Sequence, residues 1–298
     1  MPEPTLTGTD RLFGVPGEFD VSICTSCEAG VTVPRVESED LAAFYPADYE
    51  AYQEVSGRGM LVLLRIYHAW RDRLTVRTPP LSVLWKRRPG RLLDVGCGKG
   101  EPGALLLRRG WNIVGVDPSP HACELARRRG IDARVGTLQT VDLEDDLFDA
   151  VLFHHSLEHV SDPLDDLQRA ARRLRPEGVL LVTVPNFGCW QRKVFGSEWM
   201  PLELPRHRTH FTARALRRAL ERCGLSVLSS SEQTTLSVLP LTVQFATLGR
   251  PLLRGPTVRR LMVGVYAMLY PLSVLANRVA RSAEVLTVIA TVPGVRSE

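Results

Sequence analysis

The sequence predicts an α/β fold, a doubly wound and mainly parallel sheet with helices on both faces. Three observations carry this. From Arg91 onward, short apolar runs alternate with helical patterns of about ten residues, the rhythm of successive βαβ units. The first apolar run empties directly into Gly96, Gly98 and Gly100, a turn that follows a parallel strand. The helical patterns also carry their own start and stop residues.

In chain order, residues 59–76 read as a helix, with Leu61, Leu63, Leu64, Ile66 and Trp70 set among Arg65, Arg71 and Arg73. Thr78-Pro79-Pro80 ends that pattern. Residues 91–95 form the first strand. Residues 102–109 form a helix with Pro102 in its first turn, where a missing N–H costs nothing. Strand two is 112–116. A helix follows from Ser119 as N-cap to Arg129, stopped by Gly130. Strand three is the short 133–135, strand four 150–153, then a helix over 163–174 and strand five over 179–184. The helix 212–223 closes on Gly224 and leads to strand six, 225–228. The seventh strand is 284–291. In such sheets ligands bind beyond the carboxyl ends of the strands, which is where the glycine run falls.

The chain has 298 residues, 44% of them hydrophobic, enough for one large domain or two ordinary ones. Its net charge of +4 comes without a dense basic block, which argues against a nucleic-acid binder. The positive charge is nearly all arginine, Lys86, Lys99 and Lys193 being the only lysines, and reads as compositional bias. Four of the six cysteines, Cys97, Cys123, Cys189 and Cys223, are scattered and read as free thiols of a reducing compartment. The start Met1-Pro2-Glu3-Pro4 lacks the pattern of a signal peptide, so cytoplasmic residence is expected. Residues 261–276 are uncharged and mostly apolar, but short for a span, which needs about 20 residues, and interrupted by Pro271. Two readings stay open: a buried helix pair, or a membrane-surface helix with Arg250, Arg254, Arg259 and Arg260 toward lipid phosphates.

A strand ending in Gly96 and Gly98 leaves the backbone without Cβ atoms, so a ligand can approach the main chain closely. The helix that follows offers free N–H groups. Asp117, twenty-one residues after Gly96, can accept hydrogen bonds from ribose hydroxyls. These features alone also fit a nicotinamide dinucleotide. Their company separates the two: Asp94 two positions before the first glycine, then Phe148-Asp149-Ala150-Val151-Leu152, Leu157-Glu158-His159-Val160, and Leu174-Arg175-Pro176-Glu177-Gly178-Val179-Leu180.

This ordered set resembles the class I S-adenosylmethionine-dependent methyltransferases, and within them the branch of the ubiquinone-biosynthesis O-methyltransferases, over roughly residues 91–228. The resemblance implies a Rossmann-like seven-stranded sheet whose last strand is antiparallel. It implies S-adenosyl-L-methionine as cofactor, with Asp94, Gly96, Cys97 and Gly98 around its methionine end. Asp117 and Pro118 would lie at the ribose, and His154 and His155 beside the cofactor. Where relatives often place an acid for the adenine amino group, this chain has Gly136-Thr137-Leu138, which leaves Thr137 as the adenine candidate.

Methyl transfer to a hydroxyl needs a base to take the proton, and histidine is suited to that near neutral pH. His207, in Pro205-Arg206-His207-Arg208-Thr209-His210-Phe211, is the first candidate; His210 and His159 are further ones. His210 can equally fix its loop by hydrogen bonding. With Trp190, Trp199 and Met200 this segment is expected to line the acceptor pocket. Asn186 orients a ligand or is a turn residue. A metal at His155, Glu158 and His159 is chemically conceivable, but no metal is expected.

Residues 1–57 are expected to form an N-terminal arm and 58–298 the methyltransferase domain. Cys24-Thr25-Ser26-Cys27 has zinc-knuckle spacing, and residues 19–27 with 44–49 resemble the N-terminal arm of that branch, in which an earlier cysteine pair completes a zinc ribbon; residues 1–23 hold no Cys or His, so the resemblance implies a degenerate ribbon. Tyr45 and Tyr49 are candidate lid residues or core packing. Residues of about 232–282 are too many for a bare loop and predict two or more helices that cover the pocket or touch a membrane. The expected function is methylation of a hydroxyl on a small-molecule, saccharide or lipid-linked acceptor. The rivals are a nicotinamide-dependent oxidoreductase and an inactive cofactor-binding scaffold.

Overall fold

The structure is a computed structural model that describes residues 4–45, 81–143, 147–250 and 256–293. The expected helix at 59–76 and Tyr49 lie outside the described residues.

Three strands of the arm come first: β1 (Pro4–Gly8), β2 (Phe19–Ile23) and β3 (Gly30–Val33). The main sheet is built from β4 (Arg91–Val95), β5 (Asn112–Asp117), β6 (Asp132–Val135), β7 (Phe148–His154), β8 (Leu174–Pro185), β10 (Ser226–Gln233) and β11 (Val285–Thr291). Its order is β10-β11-β8-β7-β4-β5-β6. β4, β5, β6, β7 and β8 pair in parallel, and β11 runs antiparallel to both β8 and β10. The order reverses direction between β4 and β7, the switch point at which a crevice opens.

Alternation along each strand builds two core layers. Leu93 and Val95 of β4, Val151 and Phe153 of β7, and Leu180, Val182 and Val184 of β8 face one layer, closed by Leu167 and Ala170 of the helix Pro163–Arg172 and by Leu216 and Leu220 of the helix Ala213–Arg222. Leu92, Ala150, Leu152, Val179 and Leu181 face the other, closed by Leu106, Cys123 and Ala126 from the helices Glu101–Leu107 and Pro120–Arg128. Ser119 caps its helix as expected, accepting from Ala122 N, and Thr212, expected as the first helical residue, is the N-cap of its own, accepting from Ala215 N. Gly130 and Gly224 follow the helix ends with positive φ.

Three expectations change. Strand six continues to Gln233 through Ser229, Ser230 and Ser231, because β11 supplies a full ladder that the polar sequence does not advertise. Between β10 and β11 lie the helices Val238–Leu248 and Pro256–Ala280, and the second passes through Pro271 rather than breaking there. That helix is also not buried all round: Met268, Leu272, Leu275 and Val279 are exposed. No described helix is long and apolar enough to cross a membrane.

The arm is not a freestanding unit. Its sheet, β1-β2-β3-β9, takes its fourth strand, β9 (Thr209–His210), from the segment before the helix Ala213–Arg222. Cys24 and Cys27 sit in the β2–β3 turn, where Glu28 N donates to Cys24 O and Thr212 Oγ1 donates to Cys27 O. Phe19, Val21 and Phe44 of the arm pack with Phe187, Trp199, Leu202 and Leu204. At the centre of the contact Arg206, fully buried, donates to Asp10 Oδ1 (2.8 Å) and to Phe44 O (3.1 Å), and reaches Glu203 at 3.4 Å. Asp10 also accepts from the backbone of Leu12, Phe13 and Val15. Truncating one member of a buried pair strands the other charge. Asp10→Ala is therefore expected to lower the unfolding free energy by about 3–5 kcal/mol in denaturant titration, and an Asp10→Leu/Arg206→Met double variant to recover much of that loss.

Candidate active site

The glycine turn is fixed by backbone geometry. Gly96 and Gly98 have φ of 72° and 52°, the left-handed region that costs a side chain least when there is none. Gly96 N and Cys97 N both donate to Val116 O, folding the turn onto β5. A Cβ on Gly96 would meet Ser156 Cβ at 2.4 Å, whereas one on Gly98 would meet nothing within 4 Å. Gly96 is thus needed for packing against the β7 loop, and Gly98 leaves open space. Asp117, at the end of β5, accepts from Gly98 N and from Ser119 N, each at 2.9 Å, so its carboxylate is held against the glycine turn.

Above this turn is a cavity of about 440 Å³, within the range of small-molecule sites. Asp94, Gly96, Cys97, Gly98, His154 and His155 line one side. Glu158, His159, Glu203, His207 and Met200 line another, and Thr235, Ser237, Val238 and Glu284 close it from the insertion side. Asp94 is buried, and its Oδ2 has no hydrogen-bond partner. Burial, with the charge of Asp117, raises its pKa to about 7. Burial also raises Asp117, against the hydrogen bonds from Ser119 and Gly98, and pushes the Cys97 thiol up.

Glu158 is 1% exposed and neither carboxylate oxygen has a hydrogen-bond partner. Burial alone would raise its pKa, but His155, His159 and His207 around it hold it down to about 2. His155 Nδ1 approaches Glu158 Oε1 at 3.5 Å, and His155 has φ of 55°, a left-handed conformation rare for a side chain other than glycine. His154 is lowered to about 3 and His159 to about 4, in both cases first by burial and then by a neighbouring histidine. His159 and His207 meet edge to face with ring centres 4.6 Å apart. His159 Nδ1 lies 3.1 Å from Arg206 O and 3.1 Å from Tyr45 Oη, which brings the lid candidate Tyr45 to the cavity's rim. Glu158, His159 and His207 each offer one ligand atom, all within 4.8 Å of one another, a carboxylate–imidazole set able to take a divalent cation. The cluster recruits His207, not His155.

Several expected site residues fall elsewhere. His210 does not line the cavity. Thr32 Oγ1 donates to His207 O at 2.6 Å, so it accepts from His210 Nε2 at 3.0 Å, and His210 is a buried clasp between β3 and β9. Burial, with His207 nearby, lowers its pKa to about 3. Thr137 is exposed and opens a turn in which its carbonyl accepts from Thr140 N and Val141 N. Asn186 is a turn residue: Nδ2 donates to Ala283 O and Oδ1 accepts from Gly188 N. Trp199 is core, and Trp190 Nε1 donates to Asn277 Oδ1. Sequence reading missed Glu284, a fully buried carboxylate lining the cavity. It accepts from Asn277 Nδ2 (2.6 Å), Thr235 N (2.6 Å) and Gln191 Nε2 (3.2 Å), and burial raises its pKa. Its one sequence signal is that it ends an acid-free run from Gln233 to Ala283.

Comparison with known proteins gives the following. The family described as "Methyltransferase domain" matches residues 66–230, more than half of the chain. The ubiquinone biosynthesis O-methyltransferase of Xanthomonas oryzae pv. oryzae is 33% identical over 145 residues, covering 46% of this chain and 61% of that protein. The protein of the same name from Methylocella silvestris is 31% identical over 173 residues, covering 54% and 64%. The chain thus spans less than two thirds of the length of these relatives. Among solved structures, a geranyl diphosphate methyltransferase in complex with GPP and sinefungin superposes with a TM-score of 0.52 at 22% identity, covering 82% of this chain and 86% of that one, a likeness of fold.

The two glycines should separate by experiment. Gly96→Ala, which clashes with Ser156, is expected to lower the thermal midpoint sharply, a loss of about 2–4 kcal/mol from overpacking and strain together. Gly98→Ala, with strain alone, should cost about 1 kcal/mol and leave the fold intact.

Proposed function

The chain belongs to the methyltransferase-domain family, and from that premise we propose that it methylates a hydroxyl of a small-molecule acceptor, using S-adenosylmethionine, with His207 as the general base. The observation that carries the choice of base is the 2.8 Å contact between His207 Nδ1 and Pro201 O. A carbonyl oxygen only accepts, so Nδ1 holds the ring proton and Nε2 keeps its lone pair. The matched relatives are named as methyltransferases, which gives no support to a nicotinamide-dependent oxidoreductase or an inactive scaffold.

The residues present fit the cofactor: Gly98 leaves room for a ligand against the backbone, and Asp94 Oδ2 is a buried acceptor in want of a donor. Asp94 would take the amino group, the Gly96–Cys97–Gly98 backbone the rest of the methionine end, and Asp117 with Pro118 the ribose, while His154 and His155 flank it. When bound, the cofactor supplies a methyl group activated by a sulfonium. His207 accepts the acceptor's proton at Nε2, and the ionised Glu158 offsets the imidazolium that results. His159, kept neutral, packs against His207 without adding a second positive charge. Met200, Pro201, Val238 and Val285 give the cavity an apolar wall, which suits an acceptor with an apolar body, and a lipid-linked intermediate is the finer reading. A cytoplasmic setting goes with it, the described cysteines all being free.

Two measurements test this. His207→Ala should lower kcat by about 10²–10⁴ with affinity for S-adenosylhomocysteine unchanged, whereas His210→Ala should lower the thermal midpoint first; an active His207→Ala enzyme sinks the assignment. Asp94 titrates near 7 in the free protein, and its ionised form is the one that attracts an ammonium. Affinity for S-adenosylhomocysteine should therefore fall on going from pH 8 to pH 6, by up to about tenfold per unit below the midpoint, and Asp94→Asn should abolish that dependence.

A further inference from the structure

The helix Pro256–Ala280 is inside out. Its buried side carries Tyr266, Tyr270, Ser273 and Asn277 with one aliphatic residue, Val274, and its outer side carries Met268, Leu272, Leu275 and Val279, spaced three and four apart as one face requires. Those four outer residues are 74%, 61%, 58% and 78% exposed. The buried side is mainly polar for a reason: Tyr266 Oη accepts from Gln244 Nε2, and Asn277 links Trp190, Thr234 and Glu284. The helix is thus tied to the cavity wall by its polar side, and no described residue covers its apolar side. A surface helix facing water shows the opposite pattern.

Charge says what covers it. From Gln233 to Ala283 the chain has no Asp, Glu or Lys and six arginines: 250, 254, 259, 260, 278 and 281. That segment carries +6 in a chain whose net charge is +4, so everything outside it sums to −2. Arg278 and Arg281 are exposed where the apolar face ends, and Arg250 is exposed beyond the helix Val238–Leu248. We propose that the outer face of Pro256–Ala280 docks on an anionic phospholipid surface, its Leu, Met and Val side chains at the acyl boundary and its arginines at the phosphates. A second copy of the chain fits worse. A two-fold contact would set one arginine-rich, acid-free segment against another. Docking does not depend on the reaction. That it presents the cavity to acceptors held in the lipid layer rests on the methyl-transfer reading.

The test is flotation of the full chain with vesicles of phosphatidylcholine alone and of phosphatidylcholine with phosphatidylglycerol. The wild type is expected to float with the mixed vesicles, and to be released from them by salt. Leu272→Glu/Leu275→Glu and Arg278→Glu/Arg281→Glu should each reduce bound protein about tenfold, with thermal midpoints and S-adenosylhomocysteine binding as in the wild type. If either variant loses its midpoint, Met268→Gln/Val279→Gln replaces it. Absence of the wild type from the mixed vesicles overturns the proposal. So does a dimer, seen by light scattering without lipid, that the same substitutions dissociate. Retained S-adenosylhomocysteine binding in either case shows that docking, not the methyltransferase reading, has failed.

Discussion

The parallel register of β4 with β5 and β7 is the constraint on which the rest depends. Leu92–Val95 pair with Ile113–Val116 on one side and with Ala150–Phe153 on the other. Three strands therefore end together, and the residues at or just past their ends, Gly96, Asp117 and His155, are delivered to one edge. Two hydrogen bonds from the glycine turn to Val116 O and one from Gly98 N to Asp117 then lock that edge. A shift of β4 by one residue would exchange its two faces between the core layers and move Asp94 out of the cavity.

The second half of the site comes from a different source. His159 and Glu158 follow β7, but His207 arrives on a segment held by the N-terminal arm. Arg206, the preceding residue, is clamped by Asp10, and His207 O is held by Thr32. The arm therefore positions the candidate base although none of its strands reaches the cavity. On the insertion side Glu284, itself in the cavity lining, gathers Gln191, Thr235 and Asn277 at one carboxylate.

What could be read from the sequence was local. The glycine turn, the cap at Ser119 and the stops at Gly130 and Gly224 are each specified within a few residues, and they stand where expected. What could not be read depends on partners far along the chain. Asp10 and Arg206 are 196 residues apart, Gln191 and Glu284 93, and Thr32 and His210 178. No pattern in one sequence marks those pairs, so His210 looked as much like a base as a clasp. β10 shows the same limit in another form: three consecutive serines form a strand because β11 lies beside them. Pro271 shows it for a helix, which continues because packing on both sides of the proline outweighs one lost hydrogen bond.

The central claim is that one cavity, lined by Asp94 and Gly98 with Asp117 held against its glycine turn, takes the methyl donor and sets it before His207. Titration calorimetry of the full chain with S-adenosylhomocysteine and, separately, with NAD tests it most directly. Saturable binding of S-adenosylhomocysteine at one site per chain, lost in Asp117→Ala, and no heat with NAD is the result expected. Binding of NAD in its place, or S-adenosylhomocysteine binding untouched by Asp117→Ala, would contradict it.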